Sequence, residues 1–102
     1  MQIIILDDVK HFILGLEAKY QGRVSKCIDL LRNNGHLLRM PNSRYIAPGI
    51  FELRITGSLN IRLIYSFINN AAVIFDGFIK KTVEISSMDM YRILSKHSRL
   101  QL

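Results

Sequence analysis

The feature that most constrains this chain is a change of hydrophobic period after Gly49. Phe51, Leu53 and Ile55 alternate with Glu52, Arg54 and Thr56, and Ile61, Leu63, Tyr65 and Phe67 alternate with Arg62, Ile64 and Ser66. A period of two sends successive side chains to opposite faces of a strand. Gly57, Ser58, Leu59 and Asn60 lie between the two runs and supply turn chemistry, so the segment reads as a β-hairpin. Asn69-Asn70 marks a second tight turn, because Asn accepts the positive φ that such turns need. Residues 71–75 are apolar on both faces and read as a central strand.

The N-terminal half has a different period. Residues 2–6 read as a short buried strand, and Asp7 or Asp8 can cap the helix that follows. Val9, Phe12, Ile13 and Leu16 fall on one helical face, and Tyr20, Val24, Cys27, Ile28 and Leu31 repeat the pattern on a second helix. Asn33-Asn34-Gly35 ends that helix, and the two helices read as a hairpin joined near residues 19–22. From residue 36 to 49 no period holds, and Pro41 and Pro48-Gly49 mark a loop. Ser86 or Ser87 caps a last helix carrying Met90, Tyr91 and Leu94. The order β-α-α-β-β-β-α predicts one α+β domain over residues 1–102. Its helical hairpin packs on one face of a small antiparallel sheet, and a helix closes the chain.

Charge narrows the partners. Fourteen Lys and Arg against eight Asp and Glu give a formal charge of +6 over 102 residues. That excess favours nucleic acid or an acidic protein partner. With 49% hydrophobic and 22% charged residues the chain is not generally disordered. Cys27 is the only cysteine, so no internal disulfide forms, and its place on an apolar stripe makes it a buried thiol. His11, His36 and His97 share no ligand spacing with Cys27 or each other, so no metal site is expected. No phosphate-cradling Gly-rich loop, nucleophile elbow or carboxylate pair is visible. The apolar run at residues 2–6 is too short for a signal peptide or a membrane span, so a cytoplasmic protein with no membrane partner is expected.

The hairpin concentrates the charge. Its core face must pair with core face, since a one-residue slip would flip every side chain. One allowed register pairs Leu53 with Leu63 and sets Arg54 directly opposite Arg62; the next leaves the arginines as diagonal neighbours. Either way both lie on the polar face. Like charges at ~5–6 Å repel by about 1–3 kcal/mol near a protein surface. Either Glu52, two residues before Arg54, offsets that as an ion pair, or the pair holds an anion, and phosphate suits the Arg fork. One of Lys80 and Lys81 should point to the same side. Phe78 is either core or a platform for a stacked base. With no His or Glu base evident in the sheet, phosphodiester chemistry would rest on Arg for electrostatic stabilisation and on a lysine of depressed pKa for proton removal.

The combination of Pro41-Asn42-Ser43-Arg44, Gly49-Ile50-Phe51-Glu52-Leu53-Arg54, Ile61-Arg62-Leu63-Ile64-Tyr65 and Asp76-Gly77-Phe78-Ile79-Lys80-Lys81-Thr82 resembles the RelE/HigB-like toxins of type II toxin–antitoxin systems, in their phage-derived branch. The resemblance runs from about Val9 to Leu94. It implies a RelE-like fold and an mRNA interferase that cleaves mRNA on the ribosome without metal or cofactor, leaving a 2′,3′-cyclic phosphate. It also implies a cognate antitoxin, typically a helix-turn-helix DNA-binding protein. By position it assigns the scissile phosphate to Arg54 and Arg62, the basic pair after the last long strand to Lys80 and Lys81, and RNA contact to Arg44. Relatives often carry His where this chain has Asp76 and a longer segment before the first helix. The alternative is therefore a non-catalytic or attenuated RNA- or ribosome-binding module of the same fold, held by an antitoxin.

Overall fold

The computed structural model describes residues 1–100. It is an α+β fold with three α-helices and a five-stranded mixed sheet. Strand β1 (Gln2–Ile5) leads into α1 (Asp7–Leu14) and α2 (Ala18–Asn34). A 3-10 turn (Gly35–Leu37) precedes β2 (Ser43–Ala47), β3 (Ile50–Ile55), β4 (Ile61–Ile68) and β5 (Ala71–Ile79), and α3 (Ser87–Leu100) follows. The strand order is β1-β5-β4-β3-β2.

The period-two reading holds in detail. Leu53 pairs with Leu63, Ile55 with Ile61 and Arg54 with Arg62. Asn69 and Asn70 take φ of 50° and 63°, the conformation of a type I′ turn, whose twist suits the β4–β5 hairpin. Leu53, Ile55, Ile61, Leu63, Tyr65 and Ile74 form one buried cluster with Val9 of α1 and Tyr20, Val24, Ile28 and Leu31 of α2. Burying each large apolar side chain contributes about 1.5–3 kcal/mol, so this layer is the main source of stability.

Five expectations are corrected. The region from 36 to 49 is not all loop, because β2 pairs antiparallel with β3 across a register shift between Tyr45 and Ala47. As a bulged edge strand with its polar and apolar positions interrupted, it carries no clean period. The sheet is not wholly antiparallel, since β1 runs parallel to β5. That pairing is reached only through the helices, and no local pattern encodes it. The helical connection lies at residues 15–17, while 19–22 are inside α2. Asp7 and Asp8 sit in the first turn of α1 with Leu6 at the cap, where carboxylates still complement the helix dipole. Finally, α3 packs on the face of the sheet opposite α1 and α2, and Ile93 is its buried anchor, against Ile50, Ile64 and Phe75. Tyr91 and Leu94, expected on its apolar stripe, are exposed. Ser86 does cap α3, its Oγ accepting from the Asp89 N–H at 3.0 Å.

A bulge explains how α3 is held. Tyr65 pairs with Ile74 but Ile64 pairs with Asp76, so Phe75 is an extra residue and Asp76 turns to the α3 face. Regular pairing would have put Asp76 on the core side. Its Oδ2 accepts from Arg92 Nε at 2.9 Å and its Oδ1 from Lys96 Nζ at 3.1 Å. Lys96 also reaches Asp8 Oδ2 at 2.8 Å, tying α3 to the start of α1.

Two predictions follow from this packing. A Cβ on Gly77 would meet Phe12 Cδ2 at 2.9 Å and Leu63 Cδ2 at 3.0 Å. Gly77→Ala should therefore cost about 1–3 kcal/mol by overpacking, seen as a lower urea midpoint at unchanged slope. The hydrogen bond from Lys96 holds the Asp8 carboxyl below its ordinary value, so that contribution is present above about pH 4 and is lost as pH falls through the folded value. Burial pulls Lys96 down, but its bonds to Asp8 and Asp76 outweigh this and raise it, so its contribution is lost only as pH rises past the lysine range. Hydrogen exchange should show α3 amides losing protection relative to β4 near pH 3 and not near pH 7. Equal protection of the two elements at pH 3 contradicts the clamp.

Candidate nucleic-acid interface

Alternation places Arg44 of β2, Glu52 and Arg54 of β3, Arg62 of β4 and Phe78 of β5 on one face of the sheet. The register carries them across it: Arg44 opposite Glu52, Arg54 opposite Arg62, and Arg62 opposite Phe78. Lys80 shares the parity of Phe78 and extends β5, its N–H donating to Asn60 O at 2.7 Å. Each of the four consecutive strands thus adds a cation to one face or its end.

The pair is not bare. Glu52 is fully buried between the arginines, with Oε1 3.4 Å from Arg62 Nε and Oε2 3.9 Å from Arg54 Nε. Both carboxylate oxygens and both Nε atoms lack a hydrogen bond among the described residues. The attraction is therefore coulombic rather than directional. Of the two offsets for the arginine repulsion, Glu52 thus supplies the ion pair. Arg62 is itself buried, its side chain 4% exposed against 20% for Arg54, so it is not an open surface group as its polar alternation suggested. Burial lowers the Arg62 pKa, Glu52 opposes that, and Arg54 and Arg44 add to it. Its Nη1 donates to Ile61 O at 3.1 Å, and Arg54 Nη1 lies 3.2 Å from Met40 Sδ.

Arg44 and Lys80 also line a shallow cleft of about 150 Å³ with Tyr45, with Glu84 and Ile85 from the segment before α3, and with Met90 from its first turn. Lys81 is exposed and has the opposite parity, so Lys80 is the lysine that shares the arginine face. Phe78 packs beside the Ile64–Phe75–Ile93 cluster, with the Arg92 guanidinium 5.2 Å from its ring centroid. Asp76 is withdrawn from the arginines by Arg92 and Lys96. Cys27 is half-buried against the core, and burial pushes its thiol up, as suits a structural residue. No group of three or more His, Cys, Asp or Glu that could hold a metal ion occurs among the described residues.

Three contributors escaped the sequence reading. Glu84 enters the cleft from a segment with no period. Arg23 and Lys26 of α2 line a second cleft with Arg54 and Asn42, and Arg23 Nη1 donates to Thr56 O at 3.1 Å. The signal for these was present, since Lys19, Arg23 and Lys26 recur at helical spacing on one solvent face.

The fold and site define a small basic α+β protein with cations gathered on one sheet face around a buried acid. Residues 11–96 match the phage-derived protein Gp49-like family (DUF891), and the chain belongs to that family. No curated protein matches the chain. No helix among the described residues is long and apolar enough to cross a membrane.

The Glu52 arrangement makes a stability prediction. Glu52→Gln leaves Arg62 buried without a counter-charge and should cost about 3–5 kcal/mol. Adding Arg62→Met, which removes the stranded charge, should recover most of the loss. Chemical denaturation of the single and double variants tests this, and an additive double variant contradicts it.

Proposed function

We propose that the protein is the toxin of a type II toxin–antitoxin system, an mRNA interferase of the RelE/HigB kind with a RelE-like fold, acting on mRNA at the ribosome. Membership of the phage-derived family supports a toxin-like role. The observation that carries the reading is the Arg54–Arg62 pair, set face to face beside a buried acid on the sheet face that also carries Arg44.

The chemistry needs no metal. A base removes the proton from a ribose 2′-OH, and the 2′-oxygen attacks the adjacent phosphorus. The P–O5′ bond breaks, the leaving oxygen takes a proton, and a 2′,3′-cyclic phosphate remains. Charge builds on the non-bridging oxygens in the transition state, where fixed guanidinium donors act most strongly. Arg44 and Arg54 are the reachable donors, and Arg62 adds its field through the low-dielectric sheet. Lys80, in the cleft with Arg44, is the better placed of the two lysines to move a proton. A cognate antitoxin, typically a helix-turn-helix protein, would restrain the toxin.

The second reading is a non-catalytic RNA- or ribosome-binding module under the same antitoxin. Glu52 favours it, because it neutralises one charge of the arginine pair, and so does Asp76 at a position where relatives often carry His.

Induction in cells tests both. The wild-type chain is expected to arrest growth and produce new mRNA 5′ ends, and Arg54→Ala with Arg62→Ala to do neither. Because Arg62 is buried against Glu52, the variant that spares the fold is Arg44→Ala with Lys80→Ala. It should lose about 10²–10³-fold in cleavage for each transition-state contact removed. Arrest without new ends supports the binding module. Equal toxicity of wild type and both double variants contradicts both readings.

A further inference from the structure

We propose that the chain carries a nucleobase-stacking site on the edge strand β2, on the other side of that strand from the arginine pair. The inference rests on the RNA reading above and specifies how a strand would be held.

A second cleft of about 310 Å³ opens between β2 and the segment after α2. Its walls are aromatic. Tyr45 meets Phe51 edge-on at 6.0 Å between ring centroids, and His36 lies 3.9 Å from Phe67. Arg39 also lines the cleft, held by donation to His36 O at 2.5 Å and Leu38 O at 3.1 Å. No carboxylate lines it. Tyr65 and Ser43 behind it satisfy each other's hydroxyls, so neither makes a polar demand on an occupant.

Three observations select a base as that occupant. Tyr45 is 58% exposed, which a ring retained for core packing would not be. The cleft pairs aromatic faces with a cation and excludes acids, the combination that holds single-stranded nucleic acid. Most tellingly, Tyr45 also lines the Arg44–Lys80 cleft. Adjacent residues of a strand point to opposite faces, so Arg44 and Tyr45 straddle the sheet edge. A strand with a phosphate against Arg44 and Lys80 can turn its neighbouring base over that edge on to Tyr45. An acidic peptide would satisfy the cations and leave the aromatic cleft unused.

The test uses the whole chain and a labelled 2′-O-methyl oligoribonucleotide, which cannot be cleaved, beside an abasic strand of the same length. Fluorescence anisotropy gives the affinities of wild type, Tyr45→Ala and Tyr45→Phe. The expected result is a loss of about five- to a hundred-fold for Tyr45→Ala on the base-bearing strand, with no change on the abasic one. Tyr45→Phe, which retains the ring, should bind as wild type does. If Tyr45→Ala weakens both strands equally, or neither, the stacking site is wrong while the RNA reading stands. If wild type binds neither strand, the RNA reading falls and the stacking site with it.

Discussion

The buried carboxylate of Glu52 is the contact on which the site depends. Two arginines stand directly opposite each other on adjacent strands, a pairing that costs free energy by itself. Glu52 sits within 4 Å of both and is itself inaccessible to water. Without the arginines its burial would be strongly unfavourable, and without it so would the burial of Arg62. The three charges therefore persist only together. Replacing a buried ion cluster by apolar residues of similar volume is often neutral or stabilising, so stability alone does not account for these charges.

The same face of the sheet carries a second charge cluster with a different character. Asp76 is turned there by the Phe75 bulge and meets Arg92 and Lys96 of α3, with Asp8 and Asp89 completing the set. That cluster sets three carboxylates against two cations and fastens a helix. The cluster around Glu52 leaves Arg44, Arg54 and Lys80 in excess, facing solvent or the cleft. The Phe75 bulge turns Asp76 on to this face, where Arg92 and Lys96 engage it, and the start of α3 with the residues before it walls the cleft through Met90 and Ile85.

Much of this was legible in the sequence because it is local. Alternation in residues 51–67 narrowed the β3–β4 register to two choices, both with Arg54 and Arg62 on one face, and the structure takes the one that sets them directly opposite. Asn69-Asn70 fixed the next turn. What escaped is non-local or irregular. β1 pairs in parallel with β5 across the whole helical segment, and β2 is a bulged edge strand whose residues show no clean period. In α3 the buried stripe runs through Ile93, while Tyr91 and Leu94 are equally apolar and face solvent, so composition alone chose the wrong face. The depth of Arg62 was also hidden, because alternation reports which face a side chain takes and not what later packs over it.

The proposed function requires the arginines around Glu52 to form a prepared anion site. The most direct measurement is a titration of the protein with the uncleavable oligoribonucleotide, followed through the Nε–Hε signals of the arginine side chains by NMR. Saturable shifts are expected for Arg44 and Arg54, with Arg62 responding through its neighbours, while Arg99 on α3 stays in place. Shifts at Arg44 and Arg54 no larger than those at Arg99 would contradict it.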